Sequence, residues 1–182
     1  EDFGTKSFSY SKPVFSGTQR KGVSNTYTRE FHTELSKAVQ NLGWTGIFAL
    51  ERQQGTLDFS VAGSHGEHFG GGVLGAIGYN HDILGERTSY RFRVTTQSRD
   101  FRRLGLAENI LADRLETIAS FGFRFDKNSL AISHVYRKAR GTQSDTNLLI
   151  PTWSRPLFNG HAFFVLTGTI NFKDKTSKIL RT

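Results

Sequence analysis

Cysteine and methionine are both absent from the 182 residues, and only 3 prolines occur. Without cysteine there is no disulfide framework and no thiolate metal site, and the redox compartment stays open. Without methionine, even at its start, the chain is expected to be a processed product or a piece of a longer one. Long hydrophobic runs are missing too: no stretch reaches the roughly 18 apolar residues of a transmembrane helix, which excludes that mode of crossing. There is no basic-plus-apolar leader, and residue 1 is Glu. Any signal peptide is therefore expected to have been removed or to lie outside this chain.

What is present favours strands. Phe occurs 16 times and Gly 19 times, which suits β-structure with tight turns. Hydrophobic content of 36% fits a soluble domain. It fits equally a membrane barrel whose strands are half polar because they face a wet lumen. The net charge of +8 raises nucleic acid or an anionic surface as a partner. Lys and Arg are scattered singly, however, with no basic helix or dense cluster, so charge spread over lumen and loop faces is favoured and nucleic acid is not.

The order of strands is read from period-two alternation. The longest run is Arg87–Phe101, with Tyr90, Phe92 and Val94 on one face and Ser89, Arg91, Arg93, Thr95 and Gln97 on the other. Thr5–Phe15 precedes it, with Pro13 marking a strand end or bulge. Val23–Ser36 sets Tyr27, Phe31 and Leu35 opposite Thr28, Glu30, His32 and Glu34. Trp44–Gln53 and Thr56–Ser64 flank a Gln54-Gly55 turn, a strong hairpin signal. The Gly-rich 65–72 stretch is read as a loop or strand edge before Val73–Tyr79. Residues 102–113 break the alternation and are read as a loop with a helical turn. Strands then follow over 114–125, Ser129–Lys138, Asp145–Pro156 and His161–Phe172, with another beginning in the last ten residues.

Candidate sites are few. Glu30, His32 and Glu34 share one strand face and invite a metal or acid–base reading. Successive same-face positions lie about 7 Å apart, too far to converge on one ion without neighbouring strands. A solvated face is therefore the favoured assignment. His65 and His68 sit among glycines and are read as loop residues. Gly70-Gly71-Gly72 lacks the lysine and helix of a phosphate loop, and no Gly-x-Ser-x-Gly elbow occurs. No catalytic, cofactor or metal site is assigned. Trp44, Tyr79, Tyr136 and Trp153 are candidates for an interfacial aromatic girdle, with core packing as the alternative.

The succession of short motifs carries a resemblance. It runs FSYSKPVFSGT (8–18), RKGVSNTYTREFHTEL (20–35), NLGWTGIFALERQQGTLDFSVAGSHGE (41–67), GAIGYNHDILGERTSYRFRVTTQSRDFRRLG (75–105) and the 121–158 stretch. Its marks are Thr28-Glu30-His32-Glu34, Leu42-Gly43, Gly63–Gly66, Gly78-Tyr79 and Ser98–Arg102. In this order the chain resembles the barrel region of outer-membrane ushers of the chaperone–usher pathway, which export and assemble fimbriae. The resemblance implies a non-enzymatic pore in the outer membrane of a Gram-negative bacterium. Pilus subunits, a periplasmic chaperone and outer-membrane lipid would be its partners. The chain would then be one portion of a longer protein, since the family's periplasmic and plug domains are not recognisable.

The expectation is thus an all-β chain, an antiparallel transmembrane β-barrel region over 1–182, in which about ten strands form a segment of a larger barrel. Glu30, His32, Glu34, Arg91, Arg93 and Arg124 are the expected lumen-lining residues. A self-contained small outer-membrane barrel is the alternative, and it requires the first and last strands to pair. A soluble β-sandwich binding an acidic partner is the third reading.

Overall fold

Alternation of apolar and polar residues persists through the whole chain, and each alternating run becomes one strand of a single antiparallel meander. The computed structural model describes residues 13–51, 54–67, 70–82, 87–104, 111–141, 143–158 and 161–173, and the backbone of 176–181. Eleven strands occupy it: β1 Phe15–Gly22, β2 Tyr27–Leu35, β3 Val39–Ala49, β4 Thr56–Gly66, β5 Gly70–Asp82, β6 Thr88–Gln97, β7 Leu115–Phe125, β8 Asn128–Lys138, β9 Thr146–Leu157, β10 Ala162–Asn171 and β11 Thr176–Arg181. They form one sheet in sequence order, each strand pairing with its chain neighbours, so β1 and β11 are its two edges. No helix among the described residues is long and apolar enough to cross a membrane.

Turn chemistry sets the boundaries. Leu50 donates to the Gly55 carbonyl at 2.9 Å across the β3–β4 turn. Gly55 takes φ +98°, a conformation that suits glycine. Asp126, at φ 51°, and Lys127 close the two-residue β7–β8 hairpin, a position that tolerates Asp better than bulkier residues.

Several boundaries differ from those the alternation suggests. The strand expected to reach Phe101 stops at Gln97, because Ser98 turns back on β5. Its N–H donates to the Val73 carbonyl, and its Oγ accepts from the Val73 N–H. The Gly70–Gly72 run is strand rather than loop, paired with Ser64–Gly66 of β4. Trp44 lies in the middle of a strand that begins at Val39. Of the strand expected over Thr5–Phe15, residues 5–12 lie outside the described ones, and β1 instead starts at Phe15. Val23 begins a turn, its N–H bonded to the Tyr27 carbonyl, so β2 starts at Tyr27.

The register gives the sheet its geometry. One ladder row runs from Tyr27, the first residue of β2, through Phe48, Leu57, Tyr79, Phe92, Ala119 and His134 to Leu149, deep inside β9. The row climbs about one residue per strand relative to the strand ends. With about 3.3 Å per residue and about 4.8 Å between strands, this stagger corresponds to a strand tilt of about 35°. Barrel walls show tilts of this size. An eleven-residue strand at that tilt rises about 30 Å, enough for the apolar band of a membrane barrel.

The two faces differ sharply. One carries Phe31, Leu42, Val61, Val73, Ile77, Phe92 and Phe121 and stays exposed: Leu42 and Val73 are each 64% accessible and Phe92 46%. Rings gather towards the end of the sheet that holds the 50–55, 126–127 and 158–161 turns. Tyr27 stacks on Phe48 at 4.6 Å, Tyr79 lies 5.7 Å from Tyr90, and Trp153 meets Phe164 edge-on at 5.7 Å. The buried apolar residues among those described, Phe101 and Ala112, belong to the β6–β7 connection, whose first part folds onto the other, polar face at Phe101–Leu104. The packed interior of this chain thus lies on its polar side.

Candidate functional site

The polar face is built by register. Glu30, His32 and Glu34 of β2 stand opposite Thr45, Gly43 and Asn41 of β3. These pair onward with Ser60, Ala62 and Ser64 of β4, and then with Ala76, Leu74 and Gly72 of β5. Arg91 and Arg93 of β6 face Asn80 and Gly78. Arg124 of β7 faces Ser129, two residues beyond the Gly122–Ala131 pair. All six residues expected to line a lumen therefore share one face. Trp44, Tyr79, Tyr136 and Trp153 lie on the other.

Over this polar face folds the start of the β6–β7 connection. The Arg102 N–H donates to Ser64 Oγ at 2.9 Å, and Asn41 Nδ2 reaches the Arg102 carbonyl at 3.5 Å. The Leu104 N–H donates to Glu34 Oε2 at 3.1 Å. Glu34 Oε1 meets His32 Nε2 at 3.0 Å, and His32 Nδ1 meets Thr18 Oγ1 at 2.8 Å. A hydrogen-bonded line thus runs from edge strand β1 to the in-folded segment. Phe101 is 1% exposed, and its backbone lies directly on Gly72. A Cβ at Gly72 would stand 2.2 Å from the Phe101 nitrogen. The Arg102 guanidinium turns back to the carbonyls of Arg99 and Phe101 at 2.9 and 3.0 Å. Buried carbonyls are thereby satisfied where no strand partner reaches them.

Away from this segment the polar face is laced with cross-strand ion pairs. Arg93 pairs with Asp58 and reaches Ser60 Oγ at 3.4 Å. Gly78 lies between them in the ladder and leaves the space that the Asp58 carboxylate occupies. Arg137 meets Glu116 at 2.7 Å and Arg124 meets Asp82 at 3.7 Å. Arg91 donates to Asn80 Oδ1 at 3.2 Å, and Glu30 stands opposite Arg20. The result is a mixed-sign polar surface over β2–β7, while further along the same face Ile118, Val135 and Leu148 align by register with Ile150 beside them.

Chemistry is sparse on this wall. Among the described residues no three His, Cys, Asp or Glu side chains gather to hold a metal ion, and both ring nitrogens of His32 are engaged by protein groups. His65 belongs to β4 rather than to a loop, and His68 lies outside the described residues.

Alternation alone gives no role to Ser64 and Asn41, and the sequence marks Gly72 only within a Gly-rich stretch and Arg102 only at the end of a short motif. Ser64 and Asn41 meet Arg102 38 and 61 positions away, and a lone serine or asparagine on a polar strand face gives no local sign of a long-range contact. The signal that was available is Gly72 itself, since glycine inside a strand marks close approach of another backbone.

No family model, curated protein or solved structure matches the chain.

Proposed function

We propose that this chain is part of the wall of an outer-membrane pore, with its apolar face towards lipid and its polar face towards a hydrated lumen. At the finer level, the motif order described above makes it a portion of a usher barrel, a non-enzymatic channel for pilus subunits delivered by a periplasmic chaperone. One observation carries the membrane reading: the apolar face remains uncovered across the strands, while the packing of the chain lies on its polar side. A soluble antiparallel sheet packs its apolar face on a core. Contiguous exposed apolar area beyond a few hundred Å² marks a surface that meets something apolar.

The polar wall suits passage of a protein. Several of its charges are paired across strands, so a sliding surface meets mixed charge rather than one strong field. The two open edges favour a portion of a larger barrel over a self-contained one, since unpaired backbone groups are costly in lipid.

Cysteine accessibility tests the face assignment. In the whole gene product inserted in membranes, Arg93→Cys should react with a small hydrophilic thiol reagent and Phe92→Cys should not. The reverse pattern overturns the assignment. The usher level has its own test: deleting the gene in its host should abolish surface fimbriae while leaving subunits in the periplasm. Normal fimbriation in the deletion strain would remove the usher and leave only the barrel.

A further inference from the structure

Charge is sorted between the two faces. Every Asp and Glu within the described strands, namely Glu30, Glu34, Asp58, Asp82 and Glu116, lies on the polar face by register. Among residues with described side chains, the charged residues of the apolar face are all bases: Lys21, Arg29, Lys138 and Arg155. Three of these four, Lys21, Arg29 and Arg155, stand within three residues of their strand ends at the end of the sheet with the 126–127 and 158–161 turns.

Two features there are unfavourable for the protein alone. Lys21 and Arg29 are directly opposed in the β1–β2 ladder, an arrangement that like charges destabilise. Their face offers no acid to separate them. Beside β9, Arg155 and Lys127 line a cavity of about 840 Å³ floored by Trp153, Phe164 and Leu157. Both cations are exposed, and neither has an ion-pair partner among the described residues. Asp126, in the same turn as Lys127, is not among the cavity's lining residues. Phe158 projects next to it, 79% exposed and at φ 49°, a left-handed conformation that is an outlier for a bulky residue. A ring and two unpaired cations at one rim of an apolar face are the complement of a phosphate carried on an acyl chain.

We propose that this rim binds the phosphodiester headgroups of anionic glycerophospholipids, with Arg155 and Lys127 over the Trp153–Phe164 floor as the principal seat. The Lys21–Arg29 pair is the second. The inference rests on the membrane reading above. It adds orientation: no connection at this end exceeds six residues, whereas the long 98–114 and 139–145 connections open at the other; the longer loops of outer-membrane barrels face outwards, which places the rim in the glycerophospholipid leaflet. Each basic residue is drawn to an anionic leaflet, so loss of two should lower anionic-lipid retention about thirtyfold.

The test uses the whole gene product, reconstituted in nanodiscs of phosphatidylcholine with and without phosphatidylglycerol. Protein released from them is weighed by native mass spectrometry to count retained lipids. Wild type should retain phosphatidylglycerol in preference to phosphatidylcholine. The double variant Arg155→Gln with Lys127→Gln should lose that preference about thirtyfold, with insertion and heat-modifiable migration unchanged. Arg91→Gln, on the polar face, should retain the lipid as wild type does. Equal retention of both lipids by wild type, or an unaltered preference in the double variant, overturns the inference while leaving the membrane reading intact. Failure of wild type to insert in any nanodisc overturns the membrane reading itself. Displacement of bound lipid by soluble glycerol phosphate would show a free-phosphate site, and preferential retention of lipid A would show the opposite leaflet. Either result overturns the proposal as stated.

Discussion

Gly72 is the residue on which the in-folded segment depends, because the backbone of Phe101 occupies the space a side chain would need. Replacing Gly72 by Ala places a Cβ 2.2 Å from the Phe101 nitrogen. Neither partner is a flexible side-chain tip, so the 98–104 segment must lift. Lifting breaks the Arg102–Ser64 and Leu104–Glu34 hydrogen bonds, each worth about 1 kcal/mol or somewhat more where the acceptor is charged. Phe101 also loses its seat. Gly72→Ala should therefore expose Arg99, Arg102 and Arg103 to trypsin, with cleavage there at least several-fold faster than in wild type. Gly71→Ala is the control, since a Cβ at Gly71 meets nothing within 4 Å. Equal cleavage of the two variants would show that the segment is not anchored through Gly72. At this scale the sequence was only partly readable. The polar identity of Glu34, His32, Arg91 and Arg93 was evident from alternation, but what they bind depends on pairings across the sheet and on a loop that returns to it.

The strand is the scale at which the sequence speaks most directly. In β6 the alternation of Tyr90, Phe92 and Val94 with Arg91, Arg93 and Thr95 fixes which face each residue takes. The register to β5 keeps that assignment. A charge placed on the wrong face should thus be costly in a way that depends on depth. Phe92 is mid-strand, and Phe92→Arg in a membrane wall costs about 2–4 kcal/mol by the depth scale for barrel surfaces. Arg91→Phe, one residue away but on the polar face, forfeits only the hydrogen bond to Asn80. Folding of the two variants into lipid, followed by denaturant titration, should show a large loss for the first and a loss nearer 1 kcal/mol for the second. Equal losses would mean that the two faces see the same medium. Strand existence and facing were legible because period-two patterning needs only neighbours in sequence. Strand ends were not. Whether Ser98 continues β6 or turns onto Val73 is decided by a contact 25 residues away. Gly70–Gly72 is a strand because Ser64–Gly66 pairs with it, a choice that local composition leaves open between loop and strand edge.

For the whole molecule the deciding feature is the pair of edges. Among the described residues, a meander of eleven strands with no partner on the outer sides of β1 and β11 leaves two rows of backbone donors and acceptors open. In lipid each unsatisfied group costs several kcal/mol, far more than the fraction of a kcal/mol per contact available from side-chain pairs along one ladder. The edges must therefore be covered by further strands of the same protein, by a second copy, or by each other. The stagger of about one residue per strand is compatible with any of these, since it fixes tilt and not strand number. A usher portion takes the first route. It follows that residues 1–182 expressed alone and refolded in detergent should associate through their edges, giving a broad, concentration-dependent mass by light scattering. The whole gene product should run as a discrete barrel. Amide exchange gives the complementary reading: under that proposal the outward N–H groups of β1 should exchange rapidly in residues 1–182 alone and slowly in a larger barrel that contains them. A monodisperse monomer of the piece, with β1 and β11 both protected, would mean that the two edges pair with each other. The larger pore would then give way to a small closed barrel.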